Sequence, residues 1–128
     1  MTKKRKVLII DDDKILSNMY KERLEISGYE AMVSYNGESG LARIYQEKPD
    51  VILLDLMIPK LNGYNVLATI KSDPEIKDIP VIILSALTRD TDRNETAENG
   101  ADGYLVKSES MPYQVIKKIE TVLAKKNI

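Results

Sequence analysis

The chain has 128 residues, with 19 Lys and Arg against 20 Asp and Glu, for a net charge of −1. That length fits one domain able to bury its own core, and the charge balance argues against general affinity for nucleic acid or anionic membranes. Cysteine and histidine are both absent, which excludes disulfide frameworks, thiolate catalysis, Ser-His-Asp triads and most zinc or iron sites.

In chain order, Lys3-Lys4-Arg5-Lys6 reads as the solvated entrance to a strand, Val7-Leu8-Ile9-Ile10. The run lacks alternation, as expected of a parallel strand covered on both faces. Residues 14–27 place Ile15, Leu16, Met19, Tyr20, Arg23 and Leu24 near a 3.6-residue period, with Gly28 as the stop. Ala31 to Tyr35 reads as a second strand, and Asn36 as the cap of a helix carrying Leu41, Ile44 and Tyr45 that ends before Pro49. Val51-Ile52-Leu53-Leu54 repeats the strand pattern, and a loop with Pro59 and Gly63 leads to a helix over about residues 64–72. Val81-Ile82-Ile83-Leu84 is a fourth strand, followed by a polar stretch over 90–99 with little apolar face. Tyr104-Leu105-Val106 is the fifth strand, and a last helix carries Val115, Ile116, Ile119, Val122 and Leu123. Five such strand–helix units without repeats or linkers predict one doubly wound α/β domain.

Four of the five strands end in a functional group: Asp11-Asp12-Asp13, Asp55, Ser85 and Lys107. In open α/β sheets, ligands bind outside the carboxyl ends of the strands, so these distant residues are expected to share one crevice. Close carboxylates need a compensating cation. With oxygen ligands alone, that cation is Mg²⁺, Mn²⁺ or Ca²⁺. A lysine and a hydroxyl beside them suit a phosphoryl group, and a carboxylate can itself be the nucleophile. Singly, each residue has a plainer role. Asp13 is the expected N-cap of the first helix, Ser85 a hydroxyl bonding nearby backbone, and Lys107 a solvated charge.

With these residues in place, the sequence resembles a receiver domain of the bacterial response-regulator family, of the chemotaxis-regulator kind. The likeness runs nearly end to end: Val7 to Asp12, Val51 to Gly63, Val81 to Ala86, and Gly100 to Lys107. The resemblance implies a flavodoxin-like, five-stranded parallel sheet in the order 2-1-3-4-5 with five helices. It implies that residues 1–128 form a single receiver domain without an output domain. Asp55 is then the phosphoacceptor. Asp12, Asp55 and the Met57 carbonyl would hold Mg²⁺, or Mn²⁺ in its place, with Asp11 acting mainly through water. Lys107 would pair with Asp55, Ser85 and Tyr104 would be coupled switch residues, and the Ala86 N–H would meet the phosphate. Met57 and Leu87 would flank the path of the water that removes the phosphoryl group. The expected partners are a histidine kinase or histidine phosphotransfer protein and an unknown downstream protein, with no direct nucleic-acid or membrane contact, in the cytoplasm. The chain is expected to catalyse its own phosphotransfer and slow dephosphorylation, and to act on no other substrate.

Three positions depart from the family pattern. Ser108 stands where proline usually follows the lysine, Glu109 where an apolar residue is frequent, and Asn62 where Asp is frequent. The expectation for the Lys107–Ser108 bond is cis, despite the cost of cis before a residue other than proline. Two other readings compete. Asp11-Asp12-Asp13 contains the Asp-x-Asp of a haloacid-dehalogenase-type phosphatase, with Asp11 as nucleophile, although Asp55 would then lack a role. The fold could also serve as a docking module that is never phosphorylated, against which the complete acidic and basic set argues.

Overall fold

The computed structural model describes residues 3–126; the ends of the expected 1–128 domain, residues 1–2 and 127–128, lie outside that range. Five strands, β1 (Lys6–Ile10), β2 (Glu30–Ser34), β3 (Val51–Leu54), β4 (Val81–Ser85) and β5 (Gly103–Val106), form one sheet in the order β2-β1-β3-β4-β5. All neighbouring strands are parallel. The helices between and after them are α1 (Lys14–Ile26), α2 (Gly37–Glu47), α3 (Gly63–Ser72), α4 (Asp90–Glu98) and α5 (Pro112–Lys126). No described helix is long and apolar enough to cross a membrane.

Successive strand residues point to opposite faces, and here both faces are covered. Val7, Ile9, Leu53, Ile82 and Leu84 pack with Tyr20, Leu24, Val115 and Ile119 from α1 and α5. Leu8, Ile10, Leu54, Val81 and Ile83 pack with Ile44, Val66, Leu67 and Ile70 from α2 and α3. Burial on both faces is why β1, β3 and β4 read as unbroken apolar runs.

The caps match the sequence reading. Asp13 accepts a hydrogen bond from the Leu16 N–H (3.0 Å), and Asn36 from the Ser39 N–H (2.8 Å). Asn62 caps α3 in the same way, from the Asn65 N–H (3.0 Å). Asn serves a cap as well as Asp, so its departure from the family pattern leaves α3 intact. Gly28 follows the α1 cap at φ 97°, the left-handed region that glycine enters without penalty.

Two expectations need correction. The buried face of α1 is Ser17, Tyr20 and Leu24, with Leu16 partly buried, while Ile15 is 88% exposed and Met19 40%. The periodic stripe read from the sequence is therefore rotated away from the true one. Ser17 substitutes for an apolar residue by donating its hydroxyl to the Asp13 carbonyl (2.6 Å).

The Lys107–Ser108 bond is trans, as are all peptide bonds among the described residues. Trans is favoured by about 2.5–4 kcal/mol before a residue other than proline. Lys107 opens a 3₁₀ turn, Lys107–Glu109, directly after β5. Helical backbone of that kind is disfavoured immediately before proline, so serine at 108 is compatible with the turn. Lys107 still reaches the acidic residues, and a cis bond is unnecessary for aiming it.

Candidate functional site

The parallel register brings the strand ends together. Ile10 pairs with Leu54, and the Asp55 N–H donates to the Ile10 carbonyl (3.0 Å), so Asp11 and Asp55 leave adjacent strands side by side. Asp11 is 2% exposed and Asp55 6%, whereas Asp12 faces solvent. One carboxylate oxygen from each of the three lies within 4.8 Å of the others.

Lys107, half-buried at the end of β5, bridges two of them. Its Nζ lies 2.8 Å from Asp11 Oδ2 and 2.8 Å from Asp55 Oδ2. The remaining oxygens are occupied by backbone: Asp11 Oδ1 accepts from the Asp13 N–H (2.9 Å) and Asp55 Oδ1 from the Met57 N–H (3.2 Å). Burial alone would lower the Lys107 pKa, but hydrogen bonds to Asp11 and Asp55 outweigh it and hold the ammonium above its ordinary value. Burial holds the Asp11 carboxyl above the usual carboxylate range, against the opposing hydrogen bond from Lys107.

Three carboxylates face one ammonium here, leaving an excess of negative charge in a crevice walled by apolar strands. The donors are all oxygen and there is neither His nor Cys anywhere in the chain. That set fits a hard divalent cation such as Mg²⁺, which binds through one or two carboxylates and keeps several waters.

Ser85 is fully buried at the end of β4, its hydroxyl accepting from the Leu87 N–H (3.3 Å). Tyr104 donates its phenol to the Leu87 carbonyl (2.9 Å), so Ser85 and Tyr104 converge on the backbone of one residue. The Arg93 guanidinium lies 5.0 Å from the centre of the Tyr104 ring. Ala86 is exposed, Leu87 partly buried and Met57 65% exposed.

The loop from β3 to α3 is fixed from two sides. The Gly37 N–H donates to the Pro59 carbonyl (3.1 Å), the Glu38 N–H to that of Lys60 (2.9 Å), and the Gly63 N–H to that of Leu56 (2.9 Å). A Cβ at Gly63 would collide with the Asp55 carbonyl and the Leu56 Cα. Glycine at 63 therefore lets α3 start tight against the backbone of Asp55.

Of the residues singled out in the sequence, Asp11, Asp12, Asp55 and Lys107 meet directly, Ser85 and Tyr104 meet at the Leu87 backbone, and Asp13 caps α1. Sequence reasoning missed two features. Lys107 contacts Asp11 as well as Asp55. Asp92 of α4 is buried, accepting from the Tyr64 phenol and from Arg89 Nε (2.8 Å). The only sequence signal for the latter is an Asp and a Thr spaced four apart on a helix without apolar residues to bury.

A family model described as the response regulator receiver domain matches residues 7–120. The chain is 41% identical over 124 residues to ycf27 of Guillardia theta, named as a probable transcriptional regulator, covering 97% of this chain and 47% of that one. It is 30% identical over 118 residues to the polar-differentiation response regulator DivK of Brucella anthropi, covering 92% and 93%. Among solved structures, the receiver domain of the Francisella response regulator 1452 aligns with a TM-score of 0.87 at 31% identity, covering 94% of this chain and 98% of that one. The chain spans about half the length of the first of these relatives and nearly all of the second.

Proposed function

Because this chain belongs to the response regulator receiver domain family, we propose that it is a phosphorylation-dependent switch in a two-component or phosphorelay system, with Asp55 as phosphoacceptor. One observation carries the assignment. Asp55 is a buried carboxylate that faces the Lys107 ammonium at 2.8 Å and shares its crevice with Asp11 and Asp12.

The donor is a phosphohistidine on a histidine kinase or phosphotransfer protein, since the chain has no histidine of its own. An Asp55 oxygen forms the O–P bond as the N–P bond of the donor breaks. The electron pair leaves on the imidazole nitrogen, which takes a proton from solvent. Asp12, Asp55 and the Met57 carbonyl would hold Mg²⁺, or Mn²⁺ in its place, and the ion would supply neutralisation of charge on the phosphoryl oxygens. Asp11, bonded to Lys107 and to the Asp13 N–H, would act mainly through water. Lys107 passes from the Asp55 carboxylate to the phosphoryl oxygens while keeping Asp11. The Ser85 hydroxyl exchanges its acceptor role toward the Leu87 N–H for donation of its proton to a phosphoryl oxygen, joined by the Ala86 N–H. Because Ser85 and Tyr104 both bond the Leu87 backbone, this exchange reaches the surface of α4 and β5, where the downstream protein binds.

The phosphorylated state is long-lived, and its slow hydrolysis is the chain's own activity. Met57 and Leu87 beside the site are apolar and cannot orient an attacking water. Replacing them with Asn and Glu accelerates dephosphorylation by up to roughly a hundredfold, the low end for a positioned acid–base group; an unchanged rate in the folded double variant refutes this role. A net charge of −1 gives these residues no general electrostatic attraction for nucleic acid.

The test of the assignment is labelling by acetyl phosphate with Mg²⁺. Asp55→Asn abolishes it and Asp13→Asn does not, because Asp13 serves the α1 cap. Robust labelling of Asp55→Asn overturns the assignment.

A further inference from the structure

The turn that carries Lys107 has little to hold it in place. Residues 107–109 form a single 3₁₀ turn closed by one long backbone bond, from the Ser110 N–H to the Lys107 carbonyl (3.4 Å). Ser108 and Glu109 are exposed, and no proline stiffens the connection before Pro112. Short 3₁₀ segments have poor hydrogen-bond geometry and little stability alone. Yet Lys107 must keep its ammonium across two carboxylates.

Tyr20 supplies the missing restraint. It lies in the middle of α1, 2% exposed, packed in the core beneath α5. Its phenol donates to the Ser110 carbonyl (3.1 Å), a bond between residues 90 apart in sequence. A buried phenol needs such a partner. Here the partner is the carbonyl of Ser110, the residue that caps the Lys107 turn. The adjoining end is pinned separately, by the Met111 N–H on Gln114 Oε1 (2.6 Å). Burial raises the Tyr20 pKa, so the phenol keeps the proton it donates.

The same helix also holds the other half of the ion pair. Asp13, the α1 cap, donates its N–H to Asp11 Oδ1 (2.9 Å). Both ends of the Asp11–Lys107 bridge are thus fastened to α1, one through the Asp13 amide and one through Tyr20.

We propose that Tyr20 is a positioning residue for phosphoryl transfer, fixing the 107–110 turn so that the Lys107 ammonium lies across Asp11 and Asp55. The proposal rests on the reading of Asp55 as phosphoacceptor. Tyr20→Phe removes the hydroxyl and keeps the ring, so the core stays filled. Labelling by acetyl phosphate at saturating Mg²⁺ then slows roughly fivefold, the worth of one hydrogen bond. Mg²⁺ affinity, measured by calorimetry on the same protein, stays equal or rises, because the carboxylates keep their own backbone donors and face a less fixed ammonium. A core residue with no aiming role gives a different pattern. It leaves both quantities unchanged, or lowers both together through loss of fold, and either result overturns the proposal. If the wild-type chain itself takes no label, the failure belongs to the Asp55 assignment. If the wild type labels and Tyr20→Phe matches it, the failure belongs to Tyr20 alone.

Discussion

Helices α3 and α4 are nearly equal in length and follow consecutive strands, yet they are attached to the domain by different physics. Helix α3 buries Val66, Leu67 and Ile70. Helix α4 buries only Asp92 and Thr96. Apolar burial is non-directional and stabilises by roughly 1.5–3 kcal/mol for each large side chain. The α4 contacts depend instead on a few oriented hydrogen bonds. The Tyr64 phenol of α3 reaches across to Asp92, while Arg89 Nε on Asp92 and Thr96 Oγ1 on the Asp92 carbonyl (2.8 Å) hold the α4 segment to itself, so the Tyr64 bond is the one of the three that ties α4 to another element. An isolated helix of this length is marginal in water, so α4 relies on this polar fastening. It can therefore shift or loosen without opening the core, as α3 cannot.

The largest expected effect is on the apolar side. Leu67→Ala removes a fully buried side chain from the core over β1, β3 and β4 and destabilises the domain by about 2–5 kcal/mol. Urea unfolding should show it as a lower midpoint at an unchanged slope. A change of only a few tenths would mean that α3 is no better anchored than α4, and the contrast would fail.

That contrast was only half visible in the sequence. Strands β1, β3 and β4 stand out because both faces are buried and no polar residue interrupts them. The caps Asp13 and Asn36 stand out because capping is local chemistry with a local signature. The same holds for Asp11, Asp12, Asp55 and Lys107, since strand ends and fold class alone bring them together. Contacts set by tertiary placement were not legible. Ile15 and Met19 satisfy a helical period but face solvent, while Ser17 is buried because its hydroxyl bonds within its own helix. Asp92 reads as one more charge on a polar helix until Tyr64, 28 residues away, is seen against it. The trans bond at Lys107 was misread because a family habit was set above the local cost of cis before serine.

A smaller and more local effect is expected on the polar side. Asp92→Asn keeps the shape but removes the charge that Arg89 Nε and the Tyr64 phenol address. Amide exchange across Thr91–Glu98 should accelerate, while the urea midpoint moves far less than in Leu67→Ala. Beryllofluoride with Mg²⁺ should alter exchange over the same residues and leave Val66–Ile70 unchanged. A loss spread evenly over both helices would show that α4 is part of the global folding unit.

The mildest perturbation is acid, and its sign follows from Asp92. The Tyr64 hydrogen bond, and then that of Arg89, hold the Asp92 carboxyl below the usual carboxylate range. A group depressed on folding contributes fully above its unfolded value of about 4 and loses that contribution as pH falls through the lower folded value. Tyr64 is displaced in the opposite direction, by burial first and by its bond to Asp92 next. It therefore stays protonated, and the α4 fastening holds until pH rises past the ordinary tyrosine value of about 10. Tyr64 belongs to α3, but the residues that α3 buries in the core, Val66, Leu67 and Ile70, do not titrate. On lowering pH below about 4, Thr91–Glu98 should lose exchange protection before Val66–Ile70 does. In Asp92→Asn that early loss should vanish, since protection there would already be low and independent of acid. Simultaneous loss in the two helices of the wild type would instead locate the acid-sensitive groups elsewhere and detach α4 from Asp92.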